Sequence, residues 1–295
     1  MNSFLSNSGD GIWNNPRAIV SPKGLIKILR TTTNFWSALV LIFLKDRRRI
    51  AFRNGSTFRL NWIEYCTVRD NISLGCTVRQ VDENLFKIRS GKLELLGSID
   101  LLSEFYALRD GIYNCDFRDK IVLDVGGFQG ESAVFFSSMG AKKVIIYEPV
   151  VAHHELIRQN VISNNVNAEL HEEGVGNVEG FQTIHYEKAN VDFGILSKGQ
   201  RTMEIRIRNV EKVIEESQAD IAKFDCEGAE ESLVYLPREV IRKIDSYMIE
   251  AHSAEIREAI IKKFQRSGFK VKKEIGCSGH TSVIHFEKNS TCVDI

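Results

Sequence analysis

The chain lacks most of the signatures that place a protein at once. Its six cysteines (Cys66, Cys76, Cys115, Cys226, Cys277 and Cys292) form no CxxC pair, and no Cys/His spacing resembles a zinc site. They read as reduced thiols, which implies a reducing, cytoplasmic setting. Charge of one sign is not in excess, with 39 Lys plus Arg against 39 Asp plus Glu. A dedicated nucleic-acid binder usually carries a basic surplus, so no nucleic-acid partner is expected. Long hydrophobic runs are also missing. The densest, residues 35–44, spans ten positions where a membrane-crossing helix needs ~20. No internal repeat or low-complexity linker interrupts the chain. What remains is an ordinary globular composition, 43% apolar and 26% charged, in 295 residues. That length can hold one large domain or one domain plus a sizeable appendage.

Residues 1–23, rich in Asn, Ser and Gly, read as an irregular leader. The apolar run is followed at once by Lys45-Asp46-Arg47-Arg48-Arg49, the reverse of a secretory signal's order. Two readings stay open for it. One is a helix buried against the main domain or a partner chain. The other is peripheral membrane contact through residues 25–49, with the arginines toward anionic headgroups. Residues 50–60 read as a hairpin about Asn54-Gly55. Short β-like pieces follow near 74–79 and 84–88. Ser98 is placed to cap a helix reaching about Arg109, with Leu101, Leu102, Phe105 and Leu108 on one face. The expected divisions are therefore 1–49, an α+β lead-in over 50–114, and a main domain over 115–290.

From Asp116 the pattern alternates strand and helix, as a doubly wound sheet requires. Strands are expected at 120–125, 143–148, 167–171, 220–225, 244–251, 270–272 and 282–286. Helices are expected over 131–139, 151–163, from Gly228 to Pro237, and over 254–266 behind Ser253. Three β-like pieces (181–187, 191–196 and 202–208) suggest an antiparallel insertion. The fold class is α/β: a seven-stranded Rossmann-like sheet with helices on both faces, after a small N-terminal α+β extension.

In such a sheet a ligand sits outside the C-terminal strand ends. The residues there are Asp124 and Gly126, Glu148 with Pro149, the Glu172-Glu173-Gly174-Val175 turn, Asp225 and Glu227, then Glu250 and His252. The rim is acidic, so a phosphate-bearing dinucleotide would be repelled and a cationic ligand attracted. The turn Asp124-Val125-Gly126-Gly127-Phe128-Gln129-Gly130 also departs from the G-x-G-x-x-G spacing of dinucleotide sites. Gly126, Gly127 and Gly130 would let backbone come close to a ligand. Glu148 lies where a carboxylate can accept both ribose hydroxyls, a role open to NAD and to S-adenosylmethionine alike.

The stretches Asp124–Ser132, Ile145–Pro149 and Ala222–Glu230 resemble the motifs of the FkbM family of S-adenosylmethionine-dependent methyltransferases. The last of them, Lys223-Phe224-Asp225-Cys226-Glu227-Gly228-Ala229-Glu230, is similar to that family's K-x-D-x-E-G-x-E signature. Ile249–His252, Gly268-Phe269 and Arg53-Asn54-Gly55 match weaker features. Seven strands ending in a hairpin-like pair also resemble the class I methyltransferase plan. Two positions depart from the family pattern: Phe128 stands where Asn is frequent, and Cys226 where an aliphatic residue is usual. Phe128 is expected to alter how the methionine end of the cofactor is held.

The resemblance implies S-adenosyl-L-methionine as cofactor, held by Asp124, Gly126, Gly127, Gly130, Glu148, Pro149, Val175 and Asp225. It implies methyl transfer to a hydroxyl of a sugar, a lipid-linked glycan or another small molecule. A neutral hydroxyl is a poor nucleophile, so a base or a metal is needed. Asp225, Glu227 and His252 are the candidate bases. Asp225, Glu250 and His252 form the alternative of a divalent cation site, with Mg²⁺ favoured by oxygen ligands. A purely structural reading has Glu227 and Glu230 capping the helix that follows. Other activities on the same sheet are an RNA methyltransferase, using Arg47, Arg48, Arg49 and Arg53 as a phosphate track, and an NAD-dependent oxidoreductase. A catalytically silent binding module is the reading without chemistry.

Overall fold

The computed structural model describes residues 22–41, 43, 46–186, 201–277 and 281–289. Residues 1–21 of the expected leader and the β-like piece at 191–196 lie outside them. The chain divides into two compact units, Met1–Tyr106 and Ala107–Ile295.

The first unit runs through α1 (Pro22–Thr31), α2 (Phe35–Val40), β1 (Arg48–Ala51), β2 (Thr57–Leu60), α3 (Trp62–Ser73), β3 (Thr77–Asp82), β4 (Leu85–Ser90), β5 (Leu93–Gly97) and α4 (Ile99–Arg109). The Asn54-Gly55 hairpin is present, with Ile50 opposite Phe58 and Gly55 at φ 87°. It begins at Arg48, two residues earlier than the sequence pattern suggests. The apolar run makes a helix of six residues, and Asn34 ties its start to the hairpin. The Asn34 Oδ1 accepts from the Ala51 N–H, and its Nδ2 donates to the Arg49 carbonyl. The run is split between environments: Ala38 and Leu41 are buried, whereas Trp36 and Phe43 are 74% and 78% exposed.

Two of the arginines offered for a phosphate track are already engaged. Arg47 forks onto the Glu64 carboxylate and also reaches Glu83, and the Arg53 Nε donates to the Leu29 carbonyl. Helix α3 has no clear sequence signal because its inward face carries Glu64, Thr67, Asp70 and Asn71, which break the apolar period. A capping box starts it, the Asn61 side chain accepting from the Glu64 N–H and Glu64 accepting from the Asn61 N–H. Strands β3, β4 and β5 form an antiparallel meander, of which β5 is not apparent in the sequence. Among the described residues, no helix is long and apolar enough to cross a membrane.

The second unit holds β6 (Ile121–Val125), α5 (Glu131–Ser138), β7 (Lys143–Tyr147), α6 (Val151–Ser163), β8 (Ala168–His171), β9 (Gly174–Gly176), β10 (Gly180–Tyr186), β11 (Arg201–Asn209), α7 (Val210–Ser217) and β12 (Ile221–Phe224). After these come a 3₁₀ helix (Ala229–Tyr235), α8 (Arg238–Ile241), β13 (Ser246–Ala251), α9 (Ala254–Arg266), β14 (Phe269–Gly276) and β15 (Ser282–Lys288). The seven-stranded sheet has the order β14-β15-β13-β12-β6-β7-β8. All pairs are parallel except those of β15, which runs antiparallel to β13 and β14.

Its central strands are continuous apolar runs because both faces are covered. Alternate residues serve opposite layers. Leu123, Val125, Ala222 and Phe224 join Val213 and Phe264 on one side. Val122, Ile221 and Val144 join Phe136 and Ile157 on the other. Helices α7 and α9 therefore cover one face, and α5 and α6 the other. A small second sheet, β10-β11-β9, realises the expected insertion, with β10 and β11 antiparallel. The helix expected after Gly228 is a 3₁₀ helix. Ser98 and Ser253 cap α4 and α9 as their positions imply, the Ser253 Oγ accepting from the Ile256 N–H.

Candidate functional site

Strand β6 ends in the glycine turn, and the turn's shape follows from its neighbours. Gly126 sits at φ 84°, and its N–H and that of Gly127 both donate to the Tyr147 carbonyl at 2.9 and 3.2 Å. A Cβ on Gly126 would lie 1.7 Å from the Asp225 carbonyl oxygen, and one on Gly127 would lie 2.2 Å from Ile146. A Cβ on Gly130 would crowd the Ile157 backbone at 3.2 Å, where α5 passes α6. These glycines, expected to let backbone come close to a ligand, also let neighbouring chain come close: Gly126 and Gly127 at the strand ends, and Gly130 in helix packing.

Beneath the turn lies an ion pair. Asp124 has no exposed surface; its Oδ2 accepts from the Ser132 hydroxyl at 2.5 Å, and its Oδ1 is 3.3 Å from the Lys223 Nζ. Lys223 also donates to the Gly126 carbonyl at 2.8 Å. Burial opposes the lysine's charge, but Asp124, Asp225 and Glu131 outweigh it and hold the pKa above its ordinary value. Burial pushes Asp124 up, with Lys223 and Ser132 pulling it back. Asp124, expected among the residues touching the cofactor, instead anchors the turn from below. Glu131, also buried, is pushed up to about 8.

Glu148 follows β7, and its carboxylate is 5% exposed. Its Oε2 accepts from the Phe128 N–H at 2.9 Å, and its Oε1 accepts from Val150 N–H at 2.9 Å and from His153 Nδ1 at 3.2 Å. His154 Nε2 donates to the Glu148 main-chain carbonyl at 2.8 Å. A carboxylate accepts about four bonds, so one position on Oε2 is left for a ligand hydroxyl. The Phe128 ring stands edge-on to His153 with centroids 4.7 Å apart. It therefore lies beside Glu148, whose Oε2 the Phe128 N–H meets. Val175 is 3% exposed with its side chain in the core, leaving only its backbone for a ligand. Pro149 packs 3.6 Å from the position of a Cβ on Gly174.

The ends of β12 and β13 carry the densest chemistry. The Asp225 side chain is 23% exposed and the His252 ring 11%. The Tyr113 hydroxyl reaches both Glu250 Oε2 at 3.2 Å and Asp225 Oδ2 at 3.4 Å. Burial and the neighbouring Asp225 push Glu250 up to about 7. Glu230, with no exposed surface, ties the two strand ends together. Its Oε1 accepts from the His252 N–H at 3.1 Å and from His252 Nδ1 at 2.9 Å, and its Oε2 accepts from the Gly228 N–H at 2.8 Å. Capping by Glu230 is thus realised, and it extends to the next strand. Glu227 takes φ 52° and turns outward, its side chain 52% exposed.

His252 differs from the free base that the sequence suggested. Burial works against its charge, but the Glu230 bond and the Glu230, Glu227 and Asp225 carboxylates outweigh it and hold the pKa up at about 10. Without an ion beside it the ring holds its proton, and proton removal falls to Asp225 and Glu227. The acidic rim is also narrower than the sequence implies. Glu172 pairs with Arg158, and Glu173 with Arg206. Asp225 and Glu250, at the ends of β12 and β13, instead stand beside His252 and Tyr113.

Tyr113 and the structural role of Lys223 are the residues that sequence patterning misses. Tyr113 lies in a turn far along the chain with no motif around it, whereas Lys223 is inside the signature segment. His153 and His154 are also indistinct in sequence yet both hold Glu148.

No family model and no curated protein matches the chain. Among solved structures it is similar to a SAM-dependent methyltransferase from Agrobacterium tumefaciens, with 12% identity, 72% of each chain covered and a TM-score of 0.43. It is also similar to a ribosomal protein L11 methylase from Lactobacillus delbrueckii subsp. bulgaricus, at 13% identity over 64% of this chain and 80% of that one, TM-score 0.39. A precorrin-6y C5,15-methyltransferase from Geobacter metallireducens GS-15 matches at 11% identity over 64% and 89%, TM-score 0.40. The likenesses are distant, and none supplies a residue role.

Proposed function

We propose that the chain transfers a methyl group from S-adenosylmethionine to a hydroxyl oxygen of a sugar, a lipid-linked glycan or another small molecule, in the manner of the FkbM family. One observation carries the reading. The ends of adjacent strands β7, β6, β12 and β13 present Glu148, the tight Gly126 turn, Asp225 and Glu250 in one row, with the balancing lysine buried beneath it. A sulfonium with its ammonium group is attracted to such a row, and a pyrophosphate is not. The sheet order supports the same reading, because an antiparallel β15 inserted between β13 and β14 departs from the all-parallel dinucleotide order.

In this reading Glu148 accepts from the ribose, and Gly126 with Gly127 borders the methionine end. The acceptor oxygen lies near Asp225. Its lone pair forms the new O–CH₃ bond as the S–CH₃ bond breaks, and the sulfur keeps the bonding pair as a neutral thioether. The hydroxyl proton passes to Asp225 or Glu227 and then to water. His252, fixed by Glu230, stands beside Asp225 at 3.8 Å. The acceptor class rests on the family resemblance.

Glu148→Gln, which keeps the side chain's size, is expected to weaken S-adenosylhomocysteine binding about 10- to 100-fold by calorimetry, through loss of a charged acceptor. Circular dichroism melts check that the turn survives. Unchanged affinity in a folded variant would remove Glu148 from the cofactor site.

A further inference from the structure

We propose that Asp225, Glu250 and His252 bind a divalent first-row metal ion of the Mn²⁺ class at the ends of β12 and β13. One donor atom from each, two carboxylate oxygens and one imidazole nitrogen, lies within 4.8 Å of the others. The spacing around His252 is the more telling feature. Its Nε2 makes no hydrogen bond among the described residues, and the facing acceptors, Glu227 Oε2 and Asp225 Oδ1, stand off at 3.6 and 3.8 Å. Ligands around a shared ion at metal–ligand distances of about 2.1 Å are separated by roughly 3.0–3.5 Å, so the three side chains would draw in slightly to close on one. An ion bound there would take the place of the Nε2 proton that Glu227 and Asp225 otherwise help to hold, so uptake weakens as pH falls.

The other nitrogen is held as metal-bound imidazoles are held. Nδ1 bonds the wholly buried Glu230 carboxylate at 2.9 Å, which fixes the ring and directs Nε2 outward. The same carboxylate fixes the His252 main-chain N–H and the loop after β12, so two of the three ligands share one support. Tyr113 performs a parallel service by bonding both Glu250 and Asp225, which sets the two carboxylates side by side. Burial raises the cost of holding two such carboxylates together, a cost that a divalent ion would lower further than the single charge on His252 does. Lys223 approaches Asp225 at 3.5 Å, but its ammonium is spent on Asp124 and the Gly126 carbonyl. A mixed imidazole–carboxylate set favours Mn²⁺ or its first-row neighbours over Mg²⁺, which prefers all-oxygen shells. Three protein ligands leave coordination positions for water and an acceptor hydroxyl.

The ion's part in chemistry rests on the methyl-transfer reading above: it would acidify the coordinated hydroxyl and fix it next to the donor's methyl. Its binding does not rest on that reading. The test is titration of metal-stripped full-length protein with Mn²⁺ alone, followed by the loss of the free-ion signal in electron paramagnetic resonance. One equivalent taken up per chain is expected. Glu250→Gln and Asp225→Asn are each expected to weaken uptake at least about tenfold, while Glu148→Gln, outside the cluster, leaves it unchanged. Absence of uptake overturns the site, and so does uptake that Glu250→Gln and Asp225→Asn both leave intact in folded protein. S-adenosylhomocysteine binding to the metal-stripped protein is measured in parallel. Donor binding without Mn²⁺ uptake sinks the metal site alone, and Mn²⁺ uptake without donor binding sinks only the methyl-transfer reading.

Discussion

Gly126→Ala is expected to destabilise the second unit by about 4 kcal/mol or more and to abolish cofactor binding. The cause is local and severe. The added methyl would sit 1.7 Å from the Asp225 carbonyl oxygen, and the backbone at φ 84° is one that alanine adopts only with strain. Neither the turn nor β12 can give way cheaply. Gly126 donates to Tyr147, its carbonyl accepts from Lys223, and the Asp225 N–H is bonded to the Val125 carbonyl. Relief of the clash must therefore move the strand end that carries Asp225. Urea denaturation followed by circular dichroism reads the loss. Gly276→Ala is the control: a Cβ there meets nothing within 4 Å, and a change within about 0.5 kcal/mol is expected. Wild-type stability in the Gly126 variant would show that the strand ends are not in contact as described.

Lys223→Met is expected to cost ~3–5 kcal/mol, because it leaves the fully buried Asp124 without its counter-charge. Methionine matches the aliphatic stem but supplies neither the bond to the Gly126 carbonyl nor the charge shared by Asp124 and Asp225. Adding Asp124→Asn removes the stranded charge, so the double variant is expected to recover much of the loss in the same denaturation experiment. A double variant no more stable than Lys223→Met would mean that the lysine acts through packing, and the ion pair would lose its assigned role under the turn.

The fold was legible where one physical signal dominated. Strands β6, β7, β12 and β13 are buried on both faces, so their apolar runs stand out, and the caps at Ser98 and Ser253 obey local chemistry. Helix α3 was obscured by buried polar residues such as Asn71, whose Nδ2 is satisfied by the Thr67 and Leu102 carbonyls, contacts that no periodicity reveals. The site divides in the same way. Asp225, Glu227 and His252 converge as their strand-end positions imply. Their division of labour depends on burial and on Glu230, which is why the charge on His252 does not follow from sequence. Tyr113 joins the cluster across 112 positions of chain from Asp225, a distance over which residue patterns carry no information.

The claim at the centre is that this glycine turn and its carboxylates receive a cationic methyl donor and not a dinucleotide. Calorimetric titration of the full-length wild-type protein with S-adenosylhomocysteine, and separately with NADH, tests it most directly. One saturable site for S-adenosylhomocysteine and no heat from NADH is the predicted result. No binding of S-adenosylhomocysteine, with NADH binding in its place, would contradict it.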